Sequence, residues 1–172
     1  MKSLLNISLF IICLLALSSC NNNKNMITSN IPTAEVITPC SELGESDKAF
    51  FRACASATSS SISLSRDKAI NQARTLLAQK IIDNTKLAGA KYSSKCDNPD
   101  IKTFETVAND AIEMLLKDLP PTCEKYSETN GRYTTYIAVE LEKSKALDKI
   151  NSLLTNRIQG FNSETFAIFF NE

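Results

Sequence analysis

Residues 123–142 read CEKYSETNGRYTTYIAVELE, and this stretch decides the fold because it predicts a β-hairpin. Asn130 and Gly131 suit the two left-handed positions of a type I′ turn, the connection that matches the twist of antiparallel strands. The expected strands are 123–129 and 132–142. The turn therefore fixes which residues of the two strands lie opposite each other.

The register of the hairpin follows from the two-residue turn. Ile137 is expected opposite Glu124, and Tyr136 opposite Lys125. Alternation by two places every second side chain of the later strand on the core face. These side chains are Tyr133, Thr135, Ile137, Val139 and Leu141.

An earlier strand is predicted over 49–60, where small and apolar residues alternate with polar ones. The odd positions form the expected core face, and their alanines allow a helix to come close. They are Ala49, Phe51, Ala53, Ala55 and Ala57.

The serine-rich run 58–65 leads into a predicted helix over 66–87, whose apolar residues recur with a period near 3.6. Ser63 or Ser65 is the expected N-cap, and Gly89 the expected C-terminal cap. A catalytic serine cluster is the alternative interpretation of the run. It is disfavoured because the sequence has no histidine to act as the base.

Two more helices are predicted, over 100–119, ended by Pro120, and over 144–158, followed by Gly160. The element order is then β-α-α-β-β-α. Because strands and helices partly segregate along the chain, this order predicts an α+β fold. We expect a small β-sheet, made of one strand and the hairpin, packed against two to three helices.

The C-terminal tail, 161–172, is strongly apolar and should not remain in water. One expectation is that it packs over an open sheet face or adds an edge strand. The other is that it docks on a partner chain by strand addition. Its apolar residues include Phe161, Phe166, Ile168, Phe169 and Phe170.

The first twenty residues have the pattern of an export signal. Lys2 precedes an apolar run over 4–17, which is shorter than the roughly 20 residues that span a bilayer as a helix. Residues 17–20, LSSC, resemble the lipobox of bacterial lipoproteins. The resemblance implies cleavage before Cys20 and a diacylglycerol thioether on its sulfur. An ordinary secretory signal cut near Ser19 is the alternative.

The sequence divides into four predicted parts. They are a signal peptide over 1–19, a lipidated cysteine and flexible tether over 20–46, an α+β domain over 47–160, and the tail. The expected location is the bacterial cell envelope, with a lipid anchor. Asn21 stands where aspartate, in the lipoproteins that this leader resembles, often means retention in the inner membrane, so it favours the outer membrane.

Composition narrows the range of functions. Lys and Arg together number 19, as do Asp and Glu, so no basic excess favours binding to phosphates and no nucleic acid partner is expected. The sequence has no histidine, the commonest general base and metal ligand, and no glycine-rich phosphate loop. We therefore expect no enzyme activity, no catalytic residues, no cofactor and no metal.

Four cysteines follow the lipobox: Cys40, Cys54, Cys96 and Cys123. An even number in an exported chain predicts two disulfides, although one disulfide or free thiols remain open. No C-x-x-C pair points to zinc or redox chemistry. If the first helix packs back along the first strand, its end brings Cys96 near Cys40. The second helix then returns Cys123 towards Cys54. We expect the bridges Cys40–Cys96 and Cys54–Cys123.

Acidic residues on the second helix and the hairpin are candidates for an acid/base pair of a glycosidase. Charged residues on a helix face are usually solvated, and that is the expectation here. The candidates are Glu105, Asp110, Glu113 and Glu124.

Two other features invite a functional interpretation. Arg74, on the first helix, is expected at the helix flank, or capping a carboxylate or a buried carbonyl. The hairpin tyrosines, Tyr126, Tyr133 and Tyr136, could stack a sugar or a peptide. Cross-strand packing is the more ordinary role for them.

Three segments of the chain form a recognisable pattern. They are 51–57, FRACASA, then Ala69 with Ala73-Arg74, then 131–133, GRY, leading into the alternating strand. Over 49–142 the pattern resembles small bacterial envelope lipoproteins of about twenty kilodaltons that share a domain with a flagellar T-ring assembly protein. The resemblance implies envelope assembly or scaffolding, and it implies no catalytic residues.

These observations favour a non-enzymatic, membrane-anchored lipoprotein with an assembly or protein-interaction role. Its expected partners are the lipid bilayer, through acyl chains on Cys20, and another envelope protein. The first alternative is a ligand-binding module for a peptide or sugar that uses the hairpin tyrosines. The second is an enzyme that uses carboxylates.

Overall fold

A computed structural model describes residues 38–96 and 100–172. The predicted signal peptide, Cys20 and the tether as far as residue 37 lie outside the described residues. After a 3₁₀ turn, the elements in chain order are β1 (Phe50–Ser59), α1 (Ile62–Lys95), α2 (Ile101–Leu116), β2 (Cys123–Thr129), β3 (Arg132–Glu142), α3 (Lys143–Arg157) and α4 (Ser163–Phe170). The α+β class and the order β-α-α-β-β-α are confirmed, and α4 is added at the C-terminal end.

The three strands form one antiparallel sheet with the order β1-β3-β2. Asn130 and Gly131 take positive φ angles of 52° and 72°, as a type I′ turn requires. The predicted register is confirmed, with Ile137 opposite Glu124 and Tyr136 opposite Lys125. β3 is therefore the central strand, and β1 and β2 are the two edge strands of the sheet.

One face of the sheet carries the core. Phe51 and Ala53 of β1 are buried together with Ile137 and Val139 of β3, as the alternation predicts. The long helix α1 packs across β1 and β3 and also contacts α2 and α4, while α2 contacts α3. The four described α-helices therefore lie on one side of the sheet, and its outer face points away from them.

Helix α1 begins earlier than predicted. Ser61 is its N-cap, and its side chain accepts a hydrogen bond from the backbone N–H of Leu64 at 3.3 Å. The expected caps, Ser63 and Ser65, are wrong. Ser65 is instead buried, and its Oγ lies 2.7 Å from the Oγ1 of Thr135. This hydroxyl pair joins the first turns of α1 to β3, so the serine has a structural role.

Helix α1 also passes through Gly89, the predicted C-terminal cap, and continues to Lys95. Gly89 is buried at the contact with α2. A Cβ atom there would lie 2.4 Å from Cγ of Phe104, a distance that no real side chain tolerates. The glycine therefore permits a close approach of two helices, and it does not end one.

The C-terminal tail packs on the domain, as one expectation had it, but it does so as a helix and not as an edge strand or a cover on the outer face of the sheet. Asn162 caps α4 by accepting a hydrogen bond from Thr165 N at 2.9 Å. Phe166 stacks on Phe104 with ring centroids 5.6 Å apart, and Phe170 meets Phe51 edge to face at 5.9 Å. The tail is part of the core that the helices share.

Candidate functional site

Cys54 and Cys123 both lie on the outer face of the sheet, in one row that runs across the three strands. Both residues lie opposite Ala138 of β3, one on each side of it. Two strand spacings separate them by about 10 Å, and a disulfide requires Cα atoms closer than about 7 Å. The predicted Cys54–Cys123 bridge is therefore wrong, because β3 lies between the two strands.

Cys123 is bonded to Cys40, with Cα atoms 5.8 Å apart, whereas Cys54 and Cys96 are free thiols. The predicted Cys40–Cys96 bridge is wrong as well. Cys96 caps the end of α1, on the helical side of the sheet. Cys40 approaches from the opposite side, where the chain crosses the outer face before it enters β1.

Residues 38–46, which were expected to be part of the tether, form this crossing segment, and we call them the N-terminal strap. Cys40 is buried, and its Sγ lies 3.8 Å from the carbonyl oxygen of Tyr136. Gly44 passes so close to β1 that a Cβ atom would lie 2.7 Å from Sγ of Cys54. The folded unit therefore includes residues before 47.

Polar contacts fix the end of the N-terminal strap to α1 and to β1. Lys80 of α1 donates from Nζ to the carbonyl oxygens of Gly44, at 2.9 Å, and of Arg52, at 2.7 Å. Ser46 Oγ accepts from the backbone N–H of Arg52 at 3.0 Å. The first residues of β1 are thus covered along their outer edge.

A surface ion network continues from the strap. Arg52 pairs with Asp47 and, through Nε at 2.9 Å, with Glu140. The backbone N–H of Phe50, and then the Arg52 guanidinium, lower the pKa of Asp47 to about 2. The hydrogen bond to Glu140 raises the pKa of Arg52. These shifts come from pairing at the surface and stabilise the start of the strand.

The structure does not bring the candidate carboxylates together. Glu105 pairs with Lys86 at 3.4 Å, whereas Asp110 pairs with Arg157 of α3. Glu124 of β2 pairs with Arg66 at 2.8 Å and raises the pKa of that guanidinium. Glu113 is exposed on α2.

The hairpin tyrosines do not lie on one face of the sheet either. Tyr126 and Tyr133 lie on the helix-side face of the sheet, while Tyr136 lies on the outer face. Tyr126 is 68% exposed at the edge strand. The three rings therefore do not line a common site.

Arg74 caps a carbonyl group, which is one of the roles expected for it. Its Nε and Nη2 atoms donate to the carbonyl oxygen of Leu119, at 3.2 and 2.6 Å. Leu119 follows the end of α2, where carbonyl groups lack partners within the helix. Arg74 thus caps a carbonyl and joins α1 to the chain that leads into β2.

No sequence pattern predicted the rest of the β1 edge, at Cys54, Ser56 and Thr58, which the described residues leave open. Only the strand order shows that β1 is an edge strand, and this order depends on a pairing between distant parts of the chain. A run of small, uncharged residues in a predicted strand is the one local signal that could have pointed to it.

Within residues 38–96 and 100–172, no group of three or more Cys, Asp or Glu side chains is placed to hold a metal ion. Across the same residues no helix combines the length and the hydropathy needed to cross a membrane. Comparison with protein-family models, with curated proteins and with solved structures gave no match to this chain. The resemblance to envelope lipoproteins therefore stays a prediction.

Proposed function

We propose that this chain is a membrane-anchored bacterial lipoprotein with a non-catalytic role in envelope assembly or protein contact. The anchor rests on residues 17–20 of the sequence, which end in Cys20. Each buried methylene of an acyl chain contributes about 0.8 kcal/mol, so two or three chains hold a domain at a bilayer stably. The outer membrane is the membrane that Asn21 favours.

The disulfide is the structural observation that supports export most directly. Cys40 and Cys123 are bonded, and such bonds form and persist in oxidising compartments outside the cytosol. An anchor on Cys20 and a bridge at Cys40 are compatible, because both need the chain to leave the cytosol.

The role in protein contact is supported by how the polar groups are used. The carboxylates that could have formed an acid/base pair each face a different basic side chain or solvent. The tyrosines on opposite faces give the ligand-binding alternative less support. By contrast, the outer edge of β1 offers main-chain groups to another chain.

Radiolabelled palmitate tests the anchor. Cells expressing the full chain should incorporate label into the wild type and into Cys54→Ser, a matched loss of another thiol. Cys20→Ser should incorporate none, because the acceptor sulfur is gone. A wild-type chain that stays unlabelled and is recovered in soluble fractions would contradict the proposal, as would equal labelling of Cys20→Ser.

Cross-linking in intact cells tests the role in protein contact. Mass spectrometry should recover the same envelope protein with the wild type and with Cys96→Ser, which removes a thiol away from the β1 edge, and much less of it with Cys20→Ser. Recovery that does not depend on the anchor would count against a role at the membrane.

A further inference from the structure

The outer edge of β1 is hydrogen-bonded at its beginning and open further along, as far as the described residues show. The even residues of β1 turn their backbone N–H and C=O groups away from β3. At Phe50 and Arg52 these groups are bonded to Asp47 and to Ser46. At Cys54, Ser56 and Thr58, no hydrogen bond from the described residues reaches them. An edge with unpaired main-chain groups is a template for pairing with another strand.

The two edges of the sheet differ in charge. Edge strands are normally protected by charged side chains, and β2 carries Glu124, Lys125 and Glu128. In β1 the stretch 53–59, ACASATS, has no charge at all. Among the residues that the structure describes, the open part of β1 is therefore an unprotected edge.

Exposed residues of α1 run alongside this edge. Gln72 and Leu76 line a depression with Ser56, and Leu76 and Gln79 line another with Cys54. Helical spacing extends the row by one turn in each direction. We call the row the α1 stripe, and its members, all exposed, are Lys68, Gln72, Leu76, Gln79 and Asp83.

We propose that two copies of this chain pair antiparallel through β1, so that the two sheets join into one six-stranded sheet. A two-fold axis at Ser56 places each Ser56 opposite the partner's Ser56 and each Cys54 opposite the partner's Thr58. All of these residues turn their main-chain groups outward, so the pairing satisfies both edges.

The helical layer fits the same arrangement. Helix α1 lies over β1 and β3, so joining two β1 strands sets the two α1 axes about two strand spacings apart. Two spacings are about 10 Å, and packed helices have axes about 8–10 Å apart. Pairing of the strands therefore brings the two α1 stripes into contact, with Leu76 covered near the axis.

The α1 stripes of two copies are complementary when the two helices run antiparallel. Lys68 and Asp83 are equally distant from the midpoint of Thr75 and Leu76, and so are Gln72 and Gln79. In an antiparallel pair, each Lys68 then meets the partner's Asp83, and each Gln72 meets the partner's Gln79. This complementarity favours a second copy over an unrelated peptide.

A cysteine at the two-fold axis tests the pairing in the full chain, in intact cells that express it. Ser56→Cys, with Cys54→Ser and Cys96→Ser to remove the free thiols, should give a covalent dimer on a non-reducing gel. Opposite Cα atoms in an antiparallel pair lie about 5.5 Å apart, within the range of a disulfide. Ser127→Cys in the same background is the control at the other edge, and it should stay monomeric.

A missing dimer for Ser56→Cys would overturn the inference. Equal cross-linking of Ser127→Cys, the sign of random collision, would also overturn it, as would a cross-link of Ser56→Cys to a different protein. The contacts proposed lie within the described residues, so they do not depend on lipidation of Cys20, and the palmitate result is independent of this one.

Charge reversal tests the α1 stripe. In the Ser56→Cys background, Lys68→Asp alone or Asp83→Lys alone should lower the dimer fraction about fivefold, because each creates two like-charge pairs. Co-expression of the two variants should restore it, since every Lys then meets an Asp in the mixed dimer. Restored cross-linking also shows that both variants fold. Equal cross-linking of the single variants and the mixture would overturn the assigned stripe contact.

Discussion

Single residues at the start of β1 show how a short segment is held on a sheet. Asp47 accepts hydrogen bonds from the backbone N–H groups of Ala49 and Phe50, at 2.7 and 2.8 Å, and pairs with Arg52. Lys80 reaches the same region from α1. A few exposed polar atoms thus replace the strand that this end of the edge lacks.

Asp47 gives a prediction for the dependence of stability on pH. Hydrogen bonds lower its pKa from 3.8 to about 2, so its stabilisation is complete above the unfolded value and is lost as the pH falls through the folded one. Between about pH 4 and pH 2, the free energy of unfolding of Asp47→Asn should therefore fall less than that of the wild type. Chemical denaturation at each pH measures the difference.

Asp118→Asn is the control for this experiment. Asp118 is exposed and has no hydrogen bond or ion pair with another described residue. Its variant should follow the wild-type curve. If Asp47→Asn follows the same curve, the Asp47 network does not act in solution as the structure describes.

At the scale of the elements, the contact between α1 and α2 depends on the absence of one side chain. Gly89 lets the ring of Phe104 lie directly against the α1 backbone, and Phe104 in turn stacks on Phe166 of α4. Three helices meet at this point. The contact therefore sets how closely the helical half of the domain packs.

Gly89→Ala should lower the free energy of unfolding by about 1–3 kcal/mol, because the added methyl overlaps a buried ring. Adding Phe104→Leu to Gly89→Ala should cost less than Phe104→Leu costs in the wild type, since the smaller side chain makes room. Guanidinium denaturation of the four proteins gives the coupling. Additive losses would mean that the two residues do not contact each other.

The sequence predicts these elements well where the signals are local. The hairpin turn fixed its own register, and alternation identified the buried faces of β1 and β3. The ends of α1 depended on distant partners, because a glycine against Phe104 looks the same in sequence as a glycine that ends a helix. The disulfide was missed because the strap crosses the face of the sheet that α1 does not cover, a choice that no local pattern shows.

At the scale of the whole molecule, the C-terminal helix completes the core. Phe166, Phe169 and Phe170 are buried, whereas Ile168 is 62% exposed. The tail therefore contributes to folding through one face and leaves a single large apolar side chain in solvent. Ile168 is therefore the one large apolar side chain of α4 that a docking partner could cover without unfolding the domain.

Phe166→Ala should lower the free energy of unfolding by about 3–5 kcal/mol, because it removes a fully buried ring that contacts four aromatic neighbours. Ile168→Ala, the matched control on the same helix, should change it by less than about 0.5 kcal/mol. Guanidinium denaturation measures both. Equal effects of the two variants would mean that the tail is not packed in the core.

The Cys40–Cys123 bond also decides how the molecule bears a mechanical load. The two cysteines are 83 positions apart, and the covalent bridge closes the chain between them into a loop. A pull on the chain ahead of Thr38 passes through the sulfur atoms into β2 and bypasses β1, α1 and α2. Within the described residues that follow Cys40, tension from that end can therefore extend the chain only from Cys123 onward, and the looped part bears no load until the disulfide is reduced.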